Sequence, residues 1–374
     1  MTPGAGGRRV HDTMGRKLAI IESRSAIREE LPPRPAHFGT LGLGALRDSH
    51  DRRMTYLRLS VTDRCDLACI YCMPPGGEVE HAVRPELLTF EEIARLVGVF
   101  GQFGVGRVRF TGGEPLVRRD VVRMIDLVHR QTGIEDLVLT TNATRLAELA
   151  VPLRNAGLIG VNVSIDSLDA SRFERLTRGG DLGLVLAGIH AAIDAGLEVK
   201  LNTVVMGGQN DDELGRIVDF AWDIGATPRF IELMPLGEAA SLPGEMFLSM
   251  PGIVAHLGNR VTTEPATGVA GKGPARYLTD ATGSGKRVGF ITAMSESFCE
   301  SCNRVRVTAR GDVRACLAAR RAVSLRDVMR EPSRTDLDVA WAIHWALAGK
   351  DTGHHFLDAA VAEHSHVGMS LIGG

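Results

Sequence analysis

From Thr55 onward, short runs rich in β-branched residues alternate with stretches whose apolar positions recur at helical spacing, the pattern of parallel βα units. The runs predict strands from Tyr56 to Val61, Arg107 to Thr111, Asp136 to Thr140, Gly160 to Ile165, Glu198 to Val205 and Pro228 to Leu233. Amphipathic helices are expected between them. The first opens with Thr89-x-x-Glu92, a capping box ahead of Ile93, Leu96 and Val97, and closes near Gly104. Others are expected from Val121 to His129, Arg145 to Asn155, Leu184 to Ala195 and Glu213 to Ile224. Six units predict an α/β chain built on a partial (β/α)6 barrel of TIM type.

The strands carry a second signal. Parallel strands covered by helices usually read as apolar on both faces. Here Arg107, Arg109 and Thr111 alternate with Val108 and Phe110; Asn162 and Ser164 alternate with Val161 and Val163; Lys200 and Asn202 alternate with Val199 and Leu201. Solvated edge strands would account for one such strand and poorly for several in succession. A barrel lumen that holds a polar ligand near the carboxyl ends of its strands accounts for all of them.

The rhythm is confined to the middle of the chain. Residues 1–53 mix Gly, Pro, Arg and Glu without a sustained period and are expected to form a disordered N-terminal extension, with at most a short helix from Ser25 to Leu31 ended by Pro32-Pro33. Deleting residues 1–50 is accordingly expected to change turnover only a few-fold. Residues 54–240 form the barrel. Residues 241–374 read as a C-terminal α+β domain: a hairpin of Arg276 to Thr279 and Arg287 to Thr292, a second hairpin turned at Gly311-Asp312, and helices from Ser324 to Met329 and Asp336 to Leu347.

A length of 374 residues, 44% of them hydrophobic, suffices for a barrel-sized core and a second domain. The net charge of −2 and 5% aromatic content give no bulk signal for nucleic acid or a membrane surface. Six cysteines in two tight groups are too few and too clustered for a disulfide scaffold, and no signal peptide is evident; the expected compartment is the cytoplasm.

The groups themselves hold the chemistry. Cys65, Cys69 and Cys72 stand in C-x3-C-x2-C; Cys299, Cys302 and Cys316 stand in C-x2-C-x13-C. Three thiolates on an iron-sulfur cube leave one iron open to a ligand other than protein. A structural zinc site would want a fourth ligand, which a distant histidine could supply at either trio. Arg304 and Arg306 alternate on a strand beside the second trio and can point the same way; two guanidiniums suit a triphosphate bidentately, and a solvated basic strand would show the same pair.

The first spacing, with Tyr71 before the last cysteine, resembles the radical S-adenosylmethionine superfamily. The run LRLSVTDRCDLACIYCMP from Leu57 to Pro74, both trios, Thr111-Gly112-Gly113-Glu114-Pro115 and a terminal Gly373-Gly374 are together similar to the GTP 3',8-cyclase family of molybdenum cofactor biosynthesis. The resemblance spans about residues 54–374 and implies a barrel of the radical S-adenosylmethionine type. It further implies two 4Fe-4S clusters held by Cys65, Cys69 and Cys72 and by Cys299, Cys302 and Cys316, with S-adenosylmethionine on the open iron of the first. Tyr71, Gly113, Ser164 and Met234 would contact S-adenosylmethionine. Arg58, Arg109, Thr140, Lys200 and the segment Arg304-Val305-Arg306 would contact GTP, and Gly373 and Gly374 would reach the active site.

The implied reaction converts GTP to (8S)-3',8-cyclo-7,8-dihydroguanosine 5'-triphosphate, with a flavodoxin- or ferredoxin-like electron donor and delivery of the product to cyclic pyranopterin monophosphate synthase; a homodimer is left open. Two departures stand out: Asp66 where the family commonly has Asn, and Ala143 where it has Gly. The alternatives are another radical enzyme with an auxiliary cluster, such as one that modifies peptides, or a non-enzymatic iron-sulfur or zinc sensor.

Overall fold

The six expected strands form, within a residue of their expected ends, and each lies beside the next in the chain. The structure is a computed structural model that describes residues 27–40, 42–76, 81–131, 133–265, 273–319, 321–354, 356 and 369. In chain order its strands are β1 (Ile27–Arg28), β2 (Tyr56–Ser60), β3 (Arg107–Thr111), β4 (Asp136–Thr141), β5 (Gly160–Ser164), β6 (Glu198–Val205), β7 (Thr227–Glu232), β8 (Val261–Pro265), β9 (Arg276–Asp280), β10 (Arg287–Ile291), β11 (Arg304–Val307), β12 (Asp312–Arg314) and β13 (Arg321–Ser324). They make one sheet in the order β1-β13-β12-β11-β2-β3-β4-β5-β6-β7-β10-β9-β8.

Strands β2 to β7 are successive parallel neighbours. The C-terminal strands extend this sheet at both edges: β10 runs parallel to β7, and β11 runs parallel to β2. A six-stranded open barrel leaves two rows of unpaired backbone groups, and the returning chain covers both. The antiparallel pairs β9/β10 and β11/β12 are the two expected hairpins. Gly311, at φ 82°, turns the second.

The outward residues Leu57, Leu59, Val108, Phe110, Leu139, Val161, Val163 and Leu201 are fully buried and share one core with Leu96, Val97, Ile125 and Ile189 of the surrounding helices. Helix Phe90–Gln102 has the capping box in full: Glu92 N donates to Thr89 Oγ1 at 3.1 Å and Thr89 N to Glu92 Oε2 at 2.8 Å. Helices Val121–His129, Leu146–Asn155, Leu182–Asp194 and Leu214–Asp223 fall where the periodicity put them. Within the barrel region one more, Ala170–Thr177, was not expected. It buries only Phe173, Leu176 and Thr177, too few apolar positions to show a period, and relies on Asp169 as its cap.

The expected helix from Ser25 to Leu31 is instead a strand at Ile27–Arg28, paired in parallel with Arg321 and Ala322. A seven-residue helix is marginal alone, and an open sheet edge outcompetes it. The following residues are also built into the fold rather than disordered. Trp341 donates its indole N–H to Pro32 O at 2.9 Å, Phe38 packs edge-on to Trp341, and Leu46 and Met54 are buried. Arg52 Nε donates to the Asp48 carboxylate at 2.6 Å, with the Asp48 side chain wholly inaccessible. Near-neutral deletion of residues 1–50 is therefore no longer expected. Removing one partner of a buried pair leaves a buried charge uncompensated, so Asp48→Ala should cost about 3–5 kcal/mol of stability, read as a lower urea midpoint. An unmoved midpoint would make this segment the appendage its composition suggests.

Candidate active site between two cysteine trios

The first trio sits in the loop that follows β2, and three devices shape that loop. Cys72 N and Met73 N both donate to Cys69 O, at 2.9 and 3.0 Å, forming a tight turn. Ala68 N and Ile70 N donate to Thr177 O and Leu176 O, so the unexpected helix Ala170–Thr177 is the loop's support. Arg178, just past that helix, donates through one nitrogen to the carbonyls of Ala68, Met73 and Pro74 at 2.7–3.1 Å.

A further device is the pair of glycines after β3. A Cβ on Gly113 would lie 2.3 Å from Arg64 O, and one on Gly112 would lie 2.3 Å from Thr62 O. Gly113 N and Glu114 N donate to those same residues' carbonyls at 2.9 and 2.8 Å. The glycines thus let two stretches of the chain's own backbone meet directly before the cysteines.

Beyond them, Glu114 is buried against Thr141 Oγ1, Asn142 N and Leu116 N, and burial raises its carboxyl to about 7. Asp66 accepts from Asn142 Nδ2 at 2.7 Å and from Thr144 Oγ1 at 2.6 Å, so it ties the first cysteine's neighbour to the turn holding Ala143. Ala143 adopts φ 65°, the left-handed conformation a glycine would take freely. The two departures noted in the sequence thus meet at one turn, which keeps its shape.

The second trio is carried by the loop after β10 and the end of β12. Cys302 N donates to Cys299 O at 3.1 Å. Burial pushes the Cys65 thiol up to about 12 and Cys69 well up. At Cys302 burial is overcome by the Arg304 and Lys350 charges, which bring its thiol down to about 7.

All six cysteines line one cavity of about 490 Å3 at the lumen of the sheet. Tyr71, Gly113, Ser164, Met234, Arg58, Arg109, Thr140, Lys200, Arg304 and Arg306 line it too. Register explains the convergence: Arg58 is the partner of both Arg306 and Arg109, and Asn162 of both Thr140 and Lys200. With Arg107, Arg229 and Arg287 the wall presents, among the described residues, eight cationic side chains against three acids, Glu114, Asp166 and Glu198. Burial raises Asp166 to about 6 as well, which weakens the acidic side further at low pH. Arg109 donates to Tyr56 Oη and to Thr140 Oγ1, and Lys200 donates to Glu198. Burial resists ionisation of Tyr56, yet Arg109, Arg58 and Arg107 bring it down to about 8. Arg229 Nη2 is buried without a hydrogen-bond partner among the described residues.

Among the described residues, no three His, Cys, Asp or Glu side chains converge closely enough for a single metal ion. An iron-sulfur cube does not need that convergence, because each thiolate binds its own corner iron. The residues present fit a cube at each trio.

Residues 59–221 match the Radical SAM superfamily, and residues 226–356 match the family described as Molybdenum Cofactor Synthesis C. The GTP 3',8-cyclase of Heliobacterium modesticaldum is 45% identical over 87% of this chain and 99% of its own length. That of Hydrogenovibrio crunogenus is 44% identical over 77% of this chain and 87% of its own. The chain belongs to the GTP 3',8-cyclase family. Streptococcus suis SuiB bound to its precursor peptide SuiA superposes with a TM-score of 0.56 over 80% of this chain and 68% of its own, at 15% identity, which shows a shared fold alone. Membership in the GTP 3',8-cyclase family makes the chain an enzyme whose cofactors are 4Fe-4S clusters and S-adenosylmethionine. No helix of the described residues is long and apolar enough to cross a membrane.

Three expected site residues stand apart from the rest: one faces away from the cavity and two lie outside the described residues. Val305 does not line the cavity: it alternates with Arg304 and Arg306, and its side chain is fully buried in the core behind the sheet, so only its backbone faces the strand's neighbours. Gly373 and Gly374 lie outside the described residues, although Met369 lines the cavity.

Sequence reasoning missed Asp166, which accepts from Tyr71 Oη at 2.7 Å, and Arg229, whose Nε donates to Asn202 Oδ1 at 3.0 Å. The period-two alternation that exposed Asn202 was present at Arg229 and could have found it. Arg178 left no signal. The cyclase fold makes Gly113 a test of the loop geometry. Gly113→Ala must displace the backbone before Cys65, and reconstituted protein should lose iron at the first trio and most cleavage of S-adenosylmethionine. Wild-type iron content and cleavage would show that the close approach is dispensable.

Proposed function

We propose that this chain cyclises GTP to (8S)-3',8-cyclo-7,8-dihydroguanosine 5'-triphosphate, the first step of molybdenum cofactor biosynthesis. The observation that carries the reading is the placement of both cysteine trios on one cavity whose remaining wall is cationic. When bound, the 4Fe-4S cluster of the first trio supplies reductive cleavage of S-adenosylmethionine to the 5'-deoxyadenosyl radical, and that of the second supplies an open iron for the purine.

The protein's part is to hold and orient. Cys65, Cys69 and Cys72 and the loop braces above them set the first cluster's position; Tyr71, Gly113, Ser164 and Met234 bind S-adenosylmethionine beside it. Arg58, Arg109, Thr140 and Lys200, on β2, β3, β4 and β6, hold the triphosphate together with Arg304 and Arg306 on β11. Fork-shaped guanidiniums suit phosphate oxygens bidentately, and their low-dielectric setting strengthens each contact. Enclosure keeps a reactive radical next to one substrate hydrogen, which is how orientation becomes selectivity. A flavodoxin- or ferredoxin-like donor and delivery of the product to cyclic pyranopterin monophosphate synthase belong to this reading. Residues 54–240 carry the first cluster in it, and residues 241–374 the second.

A peptide-modifying radical enzyme would share the first trio, but the match to Molybdenum Cofactor Synthesis C over 226–356 favours the cyclase. The test is anaerobic reconstitution with iron and sulfide, followed by reaction with S-adenosylmethionine, reductant and GTP. The expected products are 5'-deoxyadenosine and a nucleotide of GTP's mass but different chromatographic retention, since cyclisation gives an isomer. 5'-Deoxyadenosine with GTP unchanged, in protein loaded at both trios, would contradict the assignment.

Two variants probe the parts. A charge-assisted contact contributes about 1.5–3 kcal/mol, so Arg229→Ala should weaken GTP binding about tenfold to a hundredfold by calorimetry. Unchanged affinity would remove it from the substrate site. Removing Gly373 and Gly374 should leave GTP affinity and iron content near wild type while suppressing both products, because the tail acts through backbone or carboxylate alone. Full product yield from that deletion would exclude the tail from the reaction.

A further inference from the structure

Lys350 follows helix Asp336–Ala348 and is only 4% exposed, an unusual position for a lysine. Its Nζ donates to Arg304 O at 2.9 Å, to Cys302 Sγ at 3.4 Å and to Met54 Sδ at 3.4 Å. None of these partners is a carboxylate. A buried ammonium needs an anion; among the described residues the one it touches is the Cys302 sulfur, and Cys316 is near enough to act on it as well. The lysine is itself braced, its carbonyl accepting from Ser49 Oγ at 2.9 Å. Beside it Arg52 donates to Cys299 O, Thr352 O and Asp351 O at 2.6–2.8 Å while paired with Asp48. The segment before β2 and the turn after helix Asp336–Ala348 thus close on both cysteines of C-x2-C.

We propose that Lys350 is a positioning residue of the second cluster: it fixes Cys302 and the start of β11, and its charge raises the cluster's reduction potential. The proposal rests on the second trio holding a 4Fe-4S cluster. An iron-sulfur core ligated by three thiolates is net negative and gains one further negative charge on reduction. A cation hydrogen-bonded to a ligating sulfur therefore favours the reduced form. One electron enters from the reductant, and no bond is made or broken. The same contact to Arg304 O couples the cluster to the strand that presents Arg304 and Arg306 to the substrate cavity.

The test uses the full chain bearing Cys65→Ala, Cys69→Ala and Cys72→Ala, reconstituted anaerobically so that only the second cluster is present, and titrated with dithionite under EPR. Adding Lys350→Met, which keeps the apolar stem and removes the charge, should retain the iron and shift the midpoint to more negative potential; Lys350→Arg should return it towards the parent value. An unmoved midpoint with iron retained overturns the proposal. A folded Lys350→Met chain that takes up no iron also overturns it, because the proposal has Lys350 orient and tune a cluster that the three thiolates hold without it. Should Lys350→Met fail to fold, pulsed EPR on the reduced parent chain labelled with 15N-lysine decides: a nitrogen coupling to the cluster spin supports the proposal, and its absence overturns it. A parent chain without iron at the second trio would overturn the cluster reading itself, a distinguishable result.

Discussion

Eight cationic side chains facing one cavity, against three acids among the described residues, are the constraint on which the rest of the structure depends. Charges of one sign, half-buried together, repel and lose hydration, and a chain tolerates this only when the arrangement serves an anion. The parallel sheet makes the concentration possible. Each strand contributes alternate residues to the lumen, and in-register pairing sets Arg58 between Arg109 and Arg306. Most outward residues of the same strands, Leu57, Leu59, Val108, Phe110, Leu139, Val161, Val163 and Leu201 among them, are apolar core, so the charge does not come at the core's expense.

The two cysteine trios approach this wall from different parts of the chain, and their supports differ in kind. The first loop is held by backbone meeting backbone at Gly112 and Gly113 and by Arg178 gathering three carbonyls. The second is held by buried charges, Arg52 and Lys350, from segments before β2 and after the last helix. Placing β10 and β11 on opposite edges of the six-stranded sheet brings the second trio to the same lumen as the first. Covering the sheet edges and assembling the site are thus one structural event.

Much of this was legible in the sequence, for physical reasons that differ by element. Period-two alternation of polar with apolar residues in 107–111, 160–165 and 198–205 foretold a polar lumen, because solvated edges suit several such strands in succession poorly. Thr89 and Glu92 marked a helix start through a purely local exchange of hydrogen bonds. What stayed hidden was held by contacts far apart in sequence. Residues 27–54 have no period of their own because their partners are a strand at 321–324, Trp341 and Lys350. Arg178 and Asp166 carry no motif because their roles are set by the helix end and strand end on which they sit. Val305 shows the opposite error: a motif taken as a unit concealed that its middle residue turns to the core.

The central claim is that the cationic lumen exists to hold a nucleotide polyphosphate between the two cysteine trios. Calorimetric titration of the anaerobically reconstituted protein with GTP, GDP, GMP and guanosine tests it directly. Affinity should fall at each loss of phosphate, with guanosine weakest by a wide margin, and the fall should shrink as salt is raised. Guanosine binding as tightly as GTP at low salt would contradict the account, leaving the arginines without a substrate to explain them.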